Sequence, residues 1–233
     1  MCGICGFIKF RQDGVSDADL MKLATRLLQA TQSRGKDATG HCWLNSYGEL
    51  TVAKAPVMAY RFVEMPEFQR IGFEAMPKIW LGHCRAATSG HPENNQNNHP
   101  IFSKKSGMAV VHNGIVRTDK QYKKDAEVDS EDILRAIEAK FGTTEERIIK
   151  GCRDLSGSIT FGLISQEEPG KLFLARHRNP MSLALLEEQG LIVFASTQEI
   201  IFEAMAETEM LYGFFEKRVD PYSPIFQEQG EDS

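Results

Sequence analysis

Two hydrophobic periods alternate along this chain, and the switching between them limits the architecture more than any single residue does. Between residues 3 and 10, Ile4, Gly6, Ile8 and Phe10 fall on every second position, the pattern of a strand with one buried face. From Leu20 the period lengthens, and Leu20, Leu23, Leu27 and Ala30 share one face of a helix. Ser16 reads as its N-cap, with Asp19 three residues on as a weaker form of the capping box. The helix is expected to end near Arg34-Gly35.

The same alternation continues downstream. Residues 41–44 and 50–53 read as arms of a hairpin around Ser46-Tyr47-Gly48. Residues 66–76 read as helical and 78–84 as a strand, while 91–100, rich in Asn, Pro and His, must be loop. A short buried strand over 108–111 is expected to end at His112-Asn113-Gly114. Two helices fit 130–141 and 144–152, strands fit 158–164, 171–175, 183–186 and 191–195, and a helix over 198–206 closes the run. This order predicts an α+β fold with helices packed on antiparallel sheets. No repeat or Gly/Ser-rich linker divides the chain, so residues 1–217 read as one domain and the acidic 218–233 as a mobile tail.

Composition removes several functions. Of the 233 residues 25% are charged, net charge is −5 and no basic block stands out, which argues against a surface for nucleic-acid phosphates. No apolar run is long enough to span a bilayer, and the start lacks the three regions of a signal peptide. The five cysteines, at 2, 5, 42, 84 and 152, are odd in number and scattered, which fits reduced thiols in cytoplasm.

Four clusters carry chemistry: Cys2-Gly3-Ile4; Arg34 through Gly40; Gly82 through Gly90 with Asn97-Asn98-His99-Pro100; and His112-Asn113-Gly114 with Val128-Asp129-Ser130-Glu131 behind it. Loss of Met1 would leave a thiol and a free α-amine on one residue. An α-amine titrates at roughly 7.7–8.0, so Cys2 would carry its own general base. Attack on an amide leaves a negative oxygen, for which Asn113 offers a side-chain NH₂ and Gly114 a backbone N–H. Arg85 has the planar fork that binds a carboxylate, Thr88 could add a hydroxyl, and Asp129 suits an ammonium.

In these clusters, and in the later Leu155-Ser156-Gly157-Ser158, Ala175-Arg176 and Ala195-Ser196, the chain resembles the glutaminase domain of class II glutamine amidotransferases, a branch of the N-terminal nucleophile (Ntn) hydrolases. The resemblance runs from Cys2 to about residue 205. It implies a four-layer α/β/β/α sandwich of two antiparallel sheets flanked by helices. It also implies hydrolysis of the L-glutamine side-chain amide to glutamate and ammonia through a Cys2 thioester, with no cofactor or metal. Arg85, Thr88 and Asp129 match the family's substrate-binding positions, and Arg34 and Asp37 match residues that hold the nucleophile's loop. His83, His99 and His112 read as supports for these groups rather than as acid–base residues. The chain departs from the family at Ala86, where several members place a bulky aromatic, at Ser89, where some carry His, and at Cys5 and Val128. Its length leaves no room for a synthase or transferase domain, so a separate acceptor-binding subunit is expected to receive the ammonia.

Other readings stand beside this one. Cys2 and Cys5 fit a redox pair or half a zinc site. Arg85 could be a surface salt-bridge partner, Asp129 a helix N-cap, and Asn113-Gly114 a plain turn. At the level of function the alternatives are an N-terminal-cysteine amidohydrolase acting on another γ-glutamyl or amide substrate, and a catalytically silent regulatory or structural subunit.

Overall fold

A computed structural model describes residues 1–45, 47–72, 76–206 and 208, together with the backbone of 215–217. The elements follow in the order β1 (Gly3–Lys9), α1 (Asp17–Thr31), β2 (Ala38–Leu44), β3 (Leu50–Ala55), α2 (Ala59–Phe62), α3 (Pro66–Gln69), β4 (Ile79–Arg85), β5 (Ile101–Ser103) and β6 (Met108–Arg117). They continue with α4 (Glu131–Glu138), α5 (Thr144–Cys152), β7 (Ser156–Ser165), β8 (Phe173–His177), β9 (Ser182–Leu186), β10 (Leu191–Ala195), α6 (Gln198–Ala206) and β11 (Phe215–Lys217). One sheet has the order β11-β9-β10-β1-β4-β2-β3 and the other β5-β6-β7-β8. Every pairing in both sheets is antiparallel.

Strand alternation sorts the apolar residues into three packed layers. Cys5 and Phe7 of β1 and Trp80 of β4 face outward against Leu20, Leu23 and Leu27 of α1 and Ile200 and Ile201 of α6. Their neighbours Ile4, Ile79 and Leu81 face inward and meet Ala109, Val111 and Ile164 of the second sheet. Met108 and Val110 of β6 and Phe161 and Leu163 of β7 face Ile133, Leu134 and Ile137 of α4 and Ile148 of α5. The result is the four-layer α/β/β/α sandwich the resemblance implied.

Several boundaries follow local chemistry. The Ser16 hydroxyl oxygen accepts from Asp19 N–H at 3.1 Å and opens α1. A full capping box between Thr143 and Glu146 opens α5. The expected helix over 66–76 is shorter: α3 passes into a 3₁₀ turn at Arg70–Gly72. The helix expected over 130–141 runs only from Glu131 to Glu138. The strand expected at 171–175 lies two residues further on, because Lys171 N–H closes a turn onto Glu168 O at 3.0 Å. The largest departure is β6, which does not stop at His112. It continues through Asn113 and Gly114 to Arg117, paired with β7 along its whole length. The expected tail over 218–233 lies outside the described residues.

Candidate active site

The inward-facing positions change character toward one end of the sandwich. Along β4 the sequence on that face runs Ile79, Leu81, His83, Arg85, and along β6 it runs Ala109, Val111, Asn113. Cys2 extends the inward set of β1 by one step beyond Ile4, and the pairing of Gly3 with Cys84 places it beside Arg85. Three distant segments therefore point polar side chains into one end of the inter-sheet space.

The Cys2 thiol is half-buried and donates weakly to Ala86 O at 3.5 Å. Burial pushes its pKa up, as Asp129 also does; the Ala86 backbone, the terminal ammonium and Arg85 work in the opposite direction. Arg34 Nε donates to Cys2 O at 3.0 Å, and Asp37 accepts from Ala87 N–H at 2.7 Å while its own N–H reaches Arg85 O at 3.0 Å. These two residues thus tie the Cys2 segment to the end of β4. Gly35 allows the approach: a Cβ there would lie 2.3 Å from the Arg85 carbonyl carbon.

Arg85 is buried at 3% exposure, not a surface ion-pair residue. Its Nη1 donates to Asn98 Oδ1 at 2.8 Å, and its Nη2 donates to the carbonyls of Ser89 and Gly90, the latter at 2.8 Å. Of its five N–H donors, Nε–H and one Nη1 hydrogen are left without partners among the described residues. Asn98 is held in turn by Lys54, whose ammonium donates to Asn98 O at 2.6 Å and Pro100 O at 3.0 Å. Burial brings the Lys54 pKa down to about 8. Thr88 is exposed, and its hydroxyl has no hydrogen-bond partner among the described residues.

Asp129 is half-buried. Its carboxylate accepts from Val116 N–H at 2.7 Å instead of capping α4, so the N-cap reading does not hold. That bond sets Asp129 against β6, three residues beyond Asn113. Asn113 is 1% exposed, and both atoms of its side-chain amide lack a hydrogen-bond partner among the described residues. A buried amide left unpaired is unusual in a folded protein. Gly114 adopts φ +143°, and a Cβ there would sit 1.7 Å from Ser158 O. Asn113-Gly114 is therefore strand, not turn.

His83, His99 and His112 form a buried stack behind these groups. The rings of His83 and His99 lie 4.1 Å apart at 20°, and His99 is 6.4 Å from His112. His83 Nε2 lies 3.0 Å from His112 O, a carbonyl that can only accept, so Nε2 carries the proton. His112 Nδ1 meets Ser130 Oγ at 2.8 Å. Burial takes the pKa of His83 down to about 3 and of His112 to about 4, and lowers that of His99 as well. All three are neutral at pH 7, and they bridge the strand carrying Arg85 to the strand carrying Asn113.

The remaining cysteines take no part. Cys5 is fully buried on the helix-facing side of β1, its thiol pushed up to about 12 by burial, and all five cysteines are free. No group of metal-ligating side chains is found among the described residues. Sequence reasoning placed Asn98 in a cluster without giving it a role, and it missed Lys54 and Asn179. Lys54 and Asn179 act on backbone carbonyls far away in sequence, as in the Asn179 Nδ2 bond to Asn113 O at 2.9 Å. Only the turn signal of Asn179-Pro180 marked that position.

No family model matches the chain. Among curated proteins, it is 30% identical over 200 residues to a glutamine–fructose-6-phosphate aminotransferase (isomerizing) of Clostridium tetani, covering 81% of this chain and 31% of the relative. It is 28% identical over 223 residues to the enzyme of the same name from Staphylococcus aureus, covering 91% of this chain and 35% of the relative. The chain thus spans about a third of the length of the curated relatives it matches. A solved glutamine phosphoribosylpyrophosphate amidotransferase from B. subtilis superimposes with a TM-score of 0.66 at 20% identity, over 93% of this chain and 45% of that one. A second structure, an allosteric regulatory enzyme of purine biosynthesis, gives a TM-score of 0.68 at 18% identity, over 93% of this chain and 44% of that one.

Proposed function

This chain belongs to the glutaminase-domain family of class II glutamine amidotransferases, and from that premise we propose that residues 1–217 hydrolyse L-glutamine to glutamate and ammonia with Cys2 as nucleophile. The observation that carries the reading is the unpaired, buried amide of Asn113, held on the inward face of the second sheet at the end of the inter-sheet space that Arg85 and Cys2 also face. An enclosed donor without a partner is the arrangement an oxyanion needs, since it is fixed before charge develops.

The steps follow from the residues. Once Met1 is removed, the α-amine of Cys2 takes the thiol proton, and sulfur adds to the amide carbon. The carbonyl π pair moves onto oxygen, where Asn113 Nδ2 and Gly114 N–H receive it. Collapse breaks the C–N bond, and the α-ammonium returns its proton to the departing ammonia. Water then adds to the thioester, releasing glutamate and restoring the thiol. Arg85, through its remaining N–H groups, and Thr88 take the substrate carboxylate, and Asp129 takes its ammonium. Arg34 and Asp37 keep Cys2 and β4 in register. His83, His99 and His112 hold the strands of Arg85 and Asn113 together.

The names of the curated relatives pair glutamine with an acceptor that is aminated, and we extend this to the chain in general form: its ammonia is passed to an acceptor-binding unit. No described helix is long and apolar enough to cross a membrane. The reading is tested by intact-mass measurement and glutamine-dependent ammonia release on wild type and Cys2→Ala. Support requires loss of Met1, a covalent adduct on Cys2 from a diazoketone analogue of glutamine, and no turnover in the variant. An unlabelled, Met1-free Cys2 would end the proposal. Turnover of other γ-glutamyl amides in preference to glutamine would favour the broader amidohydrolase.

A further inference from the structure

The loop after β8 contains the one non-glycine residue with positive φ among those described, Arg178 at 72°. Such a conformation is costly for an arginine and persists only where its surroundings impose it. What it presents is the next side chain, Asn179, whose Nδ2 donates to Asn113 O at 2.9 Å and approaches Ser158 O at 3.4 Å. The Asn179 Oδ1 accepts from Ser158 Oγ at 2.6 Å, and the Asn179 backbone carbonyl accepts from Thr160 Oγ1 at 3.1 Å and Arg176 Nε at 3.0 Å. The amide orientation is forced, because Asn113 O can only accept and therefore faces the NH₂ group. Asn179 is thus fixed at both ends of its side chain and at its backbone.

Asn113 O and Gly114 N–H belong to one peptide unit. In a planar trans peptide the carbonyl and the N–H point in opposite directions, so a donor that pins the carbonyl also aims the N–H. A hydrogen bond accepted by the carbonyl further polarises the unit and makes its N–H a stronger donor. Gly114 has no side chain of its own to hold it, and its φ of +143° lies where L side chains rarely go. We propose that Asn179 is a positioning residue that orients and polarises the Asn113–Gly114 peptide, so that the Gly114 N–H receives the oxyanion in the reaction above. This rests on the glutaminase reading.

The test compares wild type, Asn179→Ala and Asn179→Asp. For Asn179→Ala, kcat for ammonia release should fall roughly ten- to a hundred-fold, less than the ~10²–10³ lost with a whole oxyanion donor. KM for glutamine should stay within about threefold. Alkylation of Cys2 by iodoacetamide, a displacement that forms no oxyanion, should keep its wild-type rate. Asn179→Asp preserves shape and the Ser158 contact but places a carboxylate oxygen against Asn113 O. Its kcat relative to wild type should be low at pH 8 and rise as pH falls toward 6, as the carboxyl, pushed up by the carbonyl oxygens it faces, takes up a proton and becomes a donor.

An unchanged kcat in Asn179→Ala overturns the proposal, as does a loss matched by equally slowed alkylation. If Asn179→Ala does not fold, the Asn179→Asp ratio decides, and a ratio independent of pH overturns it. A wild type that releases no ammonia from glutamine removes the glutaminase reading and this proposal with it, whereas an active wild type with an indifferent Asn179 removes only the second.

Discussion

The inter-sheet space has two ends built by the same strands and the same alternation, yet they obey different rules. At one end Ile79 and Leu81 of β4 face Ala109, Val111 and Ile164, with no polar atom to satisfy. A few residues along, the same faces present His83, Arg85 and Asn113, and unpaired buried nitrogens and oxygens gather there: His83 Nδ1, both nitrogens of His99, His112 Nε2 and both amide atoms of Asn113. The apolar end stabilises the fold by removing surface from water. The polar end costs stability, because each enclosed group without a partner forfeits its hydration. The difference separates residues kept for folding from residues kept for chemistry on one continuous face.

The sharpest way to test that division is to remove the nucleophile. Cys2→Ala should lower glutamine turnover by at least ~10⁴-fold, in line with the loss of a nucleophile elsewhere. Its denaturation midpoint should match wild type, since Cys2 is half-buried, its thiol makes one described hydrogen bond, a long one to Ala86 O, and the Arg34 bond to its backbone carbonyl is kept in the variant. A variant that loses both activity and stability would place Cys2 on the structural side.

Acid should break the polar end first. Burial holds His83 near a pKa of about 3 and His112 near about 4, with His99 also lowered, so the folded chain keeps all three neutral. The unfolded chain protonates each below about pH 6.5. It therefore binds more protons than the folded chain, and stability is complete above that pH and lost as pH falls toward the folded-state values. All three histidines act in the same direction, so the loss steepens as pH falls through that window. His41, buried among aromatic rings and pushed down to about 3, adds a fourth. Urea titrations at pH 7.0, 6.0 and 5.5 measure this, and a flat midpoint would show that the stack is not buried neutral.

What the sequence revealed, and what it hid, follows the same boundary. The helices over 144–152 and 198–206 run where the sequence reading places them, the first opened by a full capping box and both burying an apolar face. Cys2, Arg85 and Asp129 were legible as reactive residue types, and Arg85 and Asp129 both come within electrostatic reach of Cys2. The course of β6 was not legible: Asn-Gly carries a strong local turn preference, which the pairing with β7 overrides across ten residues. Arg85 bonding to its own loop, Lys54 bracing Asn98, and Asn179 bonding across 66 residues to Asn113 were also hidden. Each is a side chain serving a distant partner, and no local pattern encodes such a pairing.

Within the polar end, Asn113→Ala sharpens the comparison further. It should lower kcat by roughly 10²–10³ while leaving KM for glutamine within a few-fold, as expected for a donor used only when the oxyanion forms. Stability should stay within about 1 kcal/mol of wild type, because an amide with no partner has no hydrogen bond to lose. Steady-state kinetics paired with urea unfolding separates the two effects. A large loss of stability would mean that the amide is tied down in the resting protein.

The smallest change belongs to the apolar end and should behave in the opposite sense. Ile164 is fully buried on β7, opposite Ala109, in the cluster that joins the sheets. Ile164→Val removes one methylene and should cost about 0.5–1.5 kcal/mol in unfolding free energy, transfer and cavity terms together. Turnover should remain within twofold, because the loss is felt where no catalytic group is anchored. If this small cavity instead lowered kcat as much as the Asn113 amide does, the two ends would be one mechanically coupled unit. Stability and chemistry would then not divide along the face at all.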